Sequence, residues 1–344
     1  MPDPEKHDLI VIGGGPAGLS AAITAETERV DTVVIDNSHT LGGQAGTTSL
    51  IENYPGFPNG ITGPELMARI VDQALRFSTK IWGPSRADTI EPVDEGILVR
   101  TDDGDEYLGN VALLSTGVDL KQLKANRVAA YRGRGVNYGP PPTSANYQGK
   151  TMVVIGGANS AGQAAVNLSE FAACEVHMLV RGDSIEDKMS GYLIDKIAEK
   201  KNITVHTRTE LTGVDGDGRL SEVSIEHRDN GSATMKADEV FVFIGAIPKT
   251  TWLPPDIVLD PMKFVVAGGD LSADAREAFV ERTKGRAPYA HETSMPRLFV
   301  AGDVRCGTNK RVALAAGDGA GVIPEVHNLR AYKPRTRARR AKAT

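Results

Sequence analysis

Two glycine clusters, each closing an apolar run, have the residue types and spacing that could do chemistry. The first, Gly13-Gly14-Gly15-Pro16-Ala17-Gly18, follows Leu9-Ile10-Val11-Ile12 and leads into a small-residue helical stretch over 19–27 and a second strand over 32–36. Gly13 allows a tight turn out of the strand, Gly15 offers bare backbone to a pyrophosphate, and Gly18 permits close helix–sheet packing, with Pro16 and Ala17 between them. Amides at the start of the helix then face the phosphates, and the helix dipole favours their charge. Asp36, 18 residues beyond Gly18, stands where a carboxylate accepts from ribose hydroxyls. Cluster, strands and acid together predict a dinucleotide cradle in preference to a structural glycine turn.

The second cluster is Gly156-Gly157-Ala158-Asn159-Ser160-Ala161, after a strand at 151–155 and before a helix to about residue 172 and a strand at 175–180. Ala158 occupies the position where a pyrophosphate needs bare backbone, and Ala161 is an accepted variant at the last position. The following strand ends in Val180-Arg181 without an acid, which suits a 2′-phosphate better than a free ribose diol. Two readings stay open: an NADP-type site using Arg181, or a retained fold that binds nicotinamide poorly, with Arg181 a solvated charge.

The elements that must hold these clusters are two strand–turn–helix–strand units starting 143 positions apart, which fit a length of 344 residues better than one large sheet. The fold class expected is α/β, with two three-layer, Rossmann-like dinucleotide-binding domains. Residues 132–148 hold so many Gly and Pro that they read as a loop. Residues 240–247 read as one buried strand, 298–301 as another running into Gly302-Asp303, and 312–320 as a helix. Hydrophobic residues at 40%, charged at 24% and aromatics at 5% are an ordinary globular balance. A net charge of −5 gives the body no footprint for nucleic acid, and six Lys/Arg in residues 331–344 read as a basic, solvated tail. The longest apolar run is too short to span a bilayer and the N-terminus is not a signal peptide, so a cytoplasmic protein is expected.

Further short motifs keep the same order along the chain: Gly42-Gly43-Gln44, Glu52-Asn53-Tyr54-Pro55-Gly56, Ser115-Thr116-Gly117 and Gly302-Asp303. With the two glycine clusters they make the chain resemble the low-molecular-weight thioredoxin reductase family from about residue 8 to residue 328. The resemblance implies a FAD domain in two segments (1–117 and 246–330), an inserted NAD(P)H domain (118–245), the tail at 331–344, and a homodimer. It also implies that Gly42, Gly43, Gln44 and Asn53 line the flavin, with Thr116 and Gly117 in the same site, and that Asp303 holds the ribitol chain. The helix beginning near Arg311-Val312 would aim its positive end at the flavin N1–C2 carbonyl region.

The departures from the family are as informative. Its Cys-x-x-Cys falls where this chain has Gly139 and Pro142, and the acid that follows is Thr143. Neither glycine nor proline can form the thiolate that exchanges with a disulfide. Gly182 and Glu186 stand where the family carries further arginines for the 2′-phosphate. The two cysteines, Cys174 and Cys306, lie 132 positions apart. Cys174 reads as a small core residue. Cys306 reads as inert or as a lone thiol near the flavin, and Tyr138 as interdomain packing or as a ring stacked on the flavin.

Three functions remain on the sequence: an NAD(P)H-dependent flavin reductase serving a small-molecule or redox-protein acceptor, a flavin oxidase or dehydrogenase without nicotinamide, and a non-catalytic flavin-binding module. No Ser-His-Asp set, paired carboxylates or histidine ligand spacing stands out. In the family the nicotinamide domain must swing so that dithiol and nicotinamide alternate at the flavin. Without the dithiol, a narrower range of domain orientations is expected.

Overall fold

The computed structural model describes residues 3–48, 51, 53–139, 141 and 147–331. Glu52, Pro142, Thr143 and the basic tail from 332 onward lie outside the described residues. The chain divides into two units, one of residues 1–119 and 247–344, the other of residues 120–246.

In chain order the first unit holds β1 (Glu5–Ile12), α1 (Pro16–Thr27), β2 (Thr32–Ile35), α2 (Gly63–Arg76), β3 (Lys80–Trp82), β4 (Ala87–Val93), β5 (Gly96–Thr101), β6 (Glu106–Leu114) and β7 (Val118–Leu120), the last running into the boundary. The second unit holds β8 (Val136–Tyr138), β9 (Thr151–Ile155), α3 (Asn159–Ser169), β10 (Glu175–Leu179), α4 (Gly191–Glu199), β11 (Ile203–His206), β12 (Thr209–Asp215), β13 (Glu222–His227), β14 (Gly231–Lys236) and β15 (Glu239–Val242). The chain returns through β16 (Ala246–Pro248) to α5 (Ala273–Arg282), β17 (Leu298–Val300) and α6 (Val312–Ala331).

The first unit's sheet runs β3-β2-β1-β6-β5-β4, with β17 beside the C-terminal half of β6. Strands β3, β2, β1, β6 and β17 are parallel, and β4 and β5 are antiparallel. Alternation along β1 sorts its side chains by face. Leu9 and Val11 pack under α1 and α6, whereas Ile10 and Ile12 pack against the β4–β5 hairpin and Val265, Met295 and Leu298. The helix layer comes very close: a Cβ on Gly319 of α6 would lie 2.0 Å from the Ala17 carbonyl oxygen of α1. That approach brings the start of α6 beside the first glycine turn.

The second unit's sheet is fully parallel, in the order β11-β10-β9-β15-β8. Helices α3 and α4 cover one face. The antiparallel sheet β12-β13-β14 and the side chains of Val128 and Tyr131 cover the other. Two local readings are corrected. Residues 240–247 are not one strand: β15 ends at Val242, Gly245 takes φ +95°, and β16 resumes at Ala246 with Ile247 exposed. The Gly/Pro-rich stretch also contains a strand, β8, which tolerates such a setting because it lies at the sheet edge.

Candidate functional site

Gly13 leaves β1 at φ +113°, and a Cβ there would sit 2.4 Å from the Ser115 carbonyl oxygen. Gly18 is equally constrained, since its Cβ would fall 1.9 Å from the Gly13 carbonyl oxygen. Gly15 is different: a Cβ on it would meet nothing within 4 Å. Its conformation caps α1 ahead of Pro16, whose missing N–H costs nothing at a helix start. The bare backbone therefore faces open space at the N-terminal end of α1, the shape and polarity a pyrophosphate needs. Asp36, just past β2, accepts from the Gly14 amide at 2.6 Å and the Ser38 amide at 2.8 Å, so its carboxylate is fixed at the rim.

The loop after Asp36 folds back onto this turn. The Gly42 amide donates to the Gly14 carbonyl at 2.9 Å, and a Cβ on Gly43 would lie 3.5 Å from the Gly15 Cα. Gln44 follows, its carbonyl accepting from the hydroxyls of Thr47 and Thr48. Ser115 closes the far side, its hydroxyl donating to the carbonyls of Ile12 and Gly13, which places Thr116 and Gly117 at the mouth of the turn. Asn53 is exposed in a shallow surface turn with Tyr54 and Phe57, and no described contact ties it to the cradle.

Gly302 and Asp303 form the turn after β17, and a Cβ on Gly302 would lie 2.8 Å from the Ala17 Cβ. The Asp303 carboxylate has no hydrogen-bond partner among the described residues. Burial pushes its pKa up, against the nearby Lys310 cation, which pulls it down. A half-buried acceptor of this kind is suited to a ligand hydroxyl. Lys310 donates to the Asp303 carbonyl oxygen at 3.0 Å and lies 4.0 Å from the Phe264 ring centroid. The Arg311 carbonyl accepts the Ala315 amide at 2.9 Å, so α6 begins there, and Val312 packs against Leu19, Met67, Ile51 and Ile61.

Sequence reasoning missed what lies behind this turn. Asp318 accepts from the Gly302 amide at 2.7 Å, from Arg305 Nε at 3.0 Å and from Arg305 Nη2 at 2.6 Å, and it meets His291 Nε2 at 3.1 Å. An acid between two glycines, in the apolar, small-residue first half of α6, was the available signal.

In the second unit Gly156 turns out of β9 at φ +143°, with its amide on the Leu179 carbonyl. Ala158 caps α3 and its carbonyl accepts from Ala161 and Gly162. The Asn159 side chain is taken up by the Ser190 amide at 2.7 Å, at the start of α4, while Ser160 is exposed and Ala161 buried. Arg181 is exposed just past β10 and lines a cleft of ≈ 700 Å³.

Tyr138 hydroxyl accepts from the Leu123 amide at 3.0 Å, and its ring packs in the second unit's core beneath Arg132. Cys174 is buried beside β10, where burial, then the Glu175 and Asp238 charges, push its thiol up to about 11. Cys306 donates to the Asp260 carboxylate at 3.4 Å, and burial and that hydrogen bond raise its pKa too. Among the described residues no set of three or more ligating side chains could hold a metal, and no helix is long and apolar enough to cross a membrane.

Comparison with known proteins places this geometry. The pyridine nucleotide-disulphide oxidoreductase family model matches residues 7–328. The thioredoxin reductase of Mycolicibacterium smegmatis is 31% identical over 316 residues, 91% of this chain and 93% of that protein. A 34.2 kDa protein in the rubredoxin operon of Clostridium pasteurianum is 28% identical over 320 residues, 93% of this chain and 96% of that one. The crystal structure of T. acidophilum thioredoxin reductase superposes with a TM-score of 0.70 at 27% identity, over 95% of this chain and all of that one. The open Gly15 backbone and the unpartnered Asp303 acceptor fit the family's FAD. The chain thus belongs to the pyridine nucleotide-disulphide oxidoreductase family, as an oxidoreductase of the thioredoxin reductase type with FAD and NADPH as its cofactors.

Proposed function

We propose that this enzyme moves electrons from NADPH through FAD straight to a small-molecule or redox-protein acceptor, with no dithiol between. The observation that carries the reading is the cysteine inventory. The chain has only Cys174 and Cys306, each free, in different units, and each held toward the neutral thiol. The position of the family's first redox cysteine is Gly139, at φ +102°, and the second is Pro142. A thiolate pair is required for disulfide exchange, so thioredoxin is not reduced by the family's route.

Residues 13–18, Asp36, Gly42, Gly43, Gln44, Thr116 and Gly117 would hold the FAD, with Asp303 on its ribitol and the start of α6 at Arg311 and Val312 beside the ring. Residues 156–161 and Arg181 would hold the nicotinamide nucleotide. Bound FAD supplies hydride acceptance and onward electron donation. The protein contributes orientation: fixed amides for phosphates, Asp36 and Asp303 as hydroxyl acceptors, and a positive helix end where negative charge develops. A redox-protein acceptor is supported by the relative encoded in a rubredoxin operon. Assembly as a homodimer and a cytoplasmic location belong to the same reading.

The test is anaerobic mixing of the FAD-loaded protein with NADPH, followed at the flavin band. Rapid bleaching, with no thioredoxin disulfide reduction, is the expected result. Thiol-dependent turnover with thioredoxin would overturn it. Ala158, which adds a methyl where the second turn needs bare backbone, favours one other reading, a flavin oxidase or dehydrogenase without nicotinamide. Bleaching by an organic substrate, but by neither nicotinamide, would select that reading.

A further inference from the structure

By the resemblance the family carries arginines where this chain has Gly182 and Glu186, after β10, yet the structure puts another arginine against the same loop. Beyond β10 and β11 the chain stays paired: the Arg208 amide donates to the Gly182 carbonyl at 2.9 Å, and the Thr209 amide to the Val180 carbonyl at 3.1 Å. Arg208 is therefore hydrogen-bonded, through its backbone, to Gly182, one residue beyond Arg181. Its side chain lines the cleft that Arg181 also lines, together with Lys124 and Arg228. Four cations face this space against two acids, Glu210 and Glu226.

The guanidinium groups of Arg208 and Arg228 are held in place from outside the lining. Arg208 Nη1 pairs with Asp229 at 2.5 Å and its Nε lies 4.0 Å from Asp183, while Arg228 reaches Asp183 at 3.4 Å. Arg181 has no side-chain partner among the described residues. It stands at the end of β10, where a Rossmann-like domain meets the adenosine ribose. A planar fork of donors beside an unpaired guanidinium suits a phosphate dianion, and both line one cleft of ≈ 700 Å³.

We propose that Arg208 is a specificity-determining residue, taking with Arg181 the 2′-phosphate of NADPH in place of the family's loop arginines. The proposal rests on the nicotinamide reading above. It makes the end of the third strand, together with Arg181 after the second, the source of discrimination against NADH.

The probe is adenosine 2′,5′-bisphosphate, titrated calorimetrically into the full-length, FAD-loaded protein beside AMP. Wild type is expected to prefer the bisphosphate by about ten-fold or more, and Arg208→Ala to lose most of that preference. Arg181→Ala is expected to lose it too, and serves as the second variant, because its side chain has no structural partner to forfeit. The NADPH-to-NADH ratio of kcat/KM for flavin reduction should fall in parallel.

Equal binding of AMP and bisphosphate by wild type would overturn the proposal. So would an Arg208→Ala protein that holds the bisphosphate within about two-fold of wild type. Failure of the underlying reading looks different: neither nicotinamide bleaches the flavin and neither adenosine probe binds. NADH bleaching without a bisphosphate preference sinks the arginine assignment alone.

Discussion

The carboxylate of Asp318, inside α6, accepts a hydrogen bond from the amide of Gly302 at 2.7 Å. Through this contact α6 also holds the turn carrying Asp303. The same carboxylate takes both an Nε and an Nη2 bond from Arg305 and faces His291, so one side chain joins three segments. Burial would raise the pKa of Asp318, but hydrogen bonds from His291, Arg305 and the Gly302 amide outweigh it and hold the carboxyl well below the usual carboxylate range.

Asp318→Asn places an amide NH₂ among donors and removes the charge that neutralises Arg305. Breaking a buried pair by removing one partner is strongly destabilising, and the expected loss is about 3 kcal/mol by urea unfolding. A loss below about 1 kcal/mol would show that the network is replaceable by water. The FAD content of the purified variant, read from the flavin absorbance ratio, should fall with it, because the Gly302–Asp303 turn is no longer pinned.

His291 gives this cluster a pH signature. Both ring nitrogens meet carboxylates, Nδ1 with Glu325 at 2.7 Å and Nε2 with Asp318 at 3.1 Å, so the doubly protonated ring satisfies both. Burial lowers its pKa, but the hydrogen bonds and charges of Asp318 and Glu325 win and push it up to about 9, from an ordinary 6.5. Arg305, on the far side of Asp318, is the cation facing this group. A folded-state pKa above the unfolded one stabilises fully below pH 6.5, and that stabilisation is lost as pH rises toward 9. The linkage is worth about 3 kcal/mol across the window. Denaturant titrations from pH 6 to pH 9.5 should show wild type losing this increment relative to His291→Gln. Parallel pH curves would refute the assignment.

This network also marks the limit of what the residues announce in order. Periodicity and glycine spacing place β1, α1 and Asp36 because the turn is local: strand, turn, helix and acid fall within 36 residues. Gly302 and Asp303 were legible only through resemblance, since Gly302 reaches Ala17 from the far end of the chain. The His291–Asp318–Arg305 cluster left one sign, the acid between Gly317 and Gly319, and nothing that pointed to its partners. Its members lie 13 to 27 positions apart, on a loop, a turn and a helix, with no shared period. The single apolar run at 240–247 was misread for the converse reason: hydrophobicity cannot reveal that Gly245 turns the backbone to positive φ.

Gly15 and Gly18 separate the fold's needs from the ligand's. A Cβ on Gly18 would lie 1.9 Å from the Gly13 carbonyl oxygen and 2.6 Å from Ser115 Oγ, so Gly18→Ala must displace α1 from the sheet. The expected cost is about 2–3 kcal/mol, as for an overpacked core. A Cβ on Gly15 meets nothing, so Gly15→Ala should keep its stability without FAD within about 1 kcal/mol while its methyl occupies the phosphate approach. Apo-protein melting and FAD titration together check both. A Gly15→Ala protein that binds FAD like wild type would remove residue 15 from the cradle.

The last prediction concerns sulfur. Burial and neighbouring carboxylates hold Cys174 and Cys306 as thiols, and only the thiolate is the nucleophile. At pH 8 the native protein should react with iodoacetamide about ten-fold more slowly than a free cysteine at either position. Asp260→Asn takes away the carboxylate that accepts the Cys306 hydrogen bond, so it should speed alkylation at Cys306 alone. If electrons leave the flavin without a thiol relay, Cys174→Ala/Cys306→Ala should be reduced by NADPH within about two-fold of the wild-type rate. It should also pass electrons to an artificial acceptor such as ferricyanide at the wild-type rate. Loss of that second step, with flavin reduction intact, would identify a cysteine as part of the exit path.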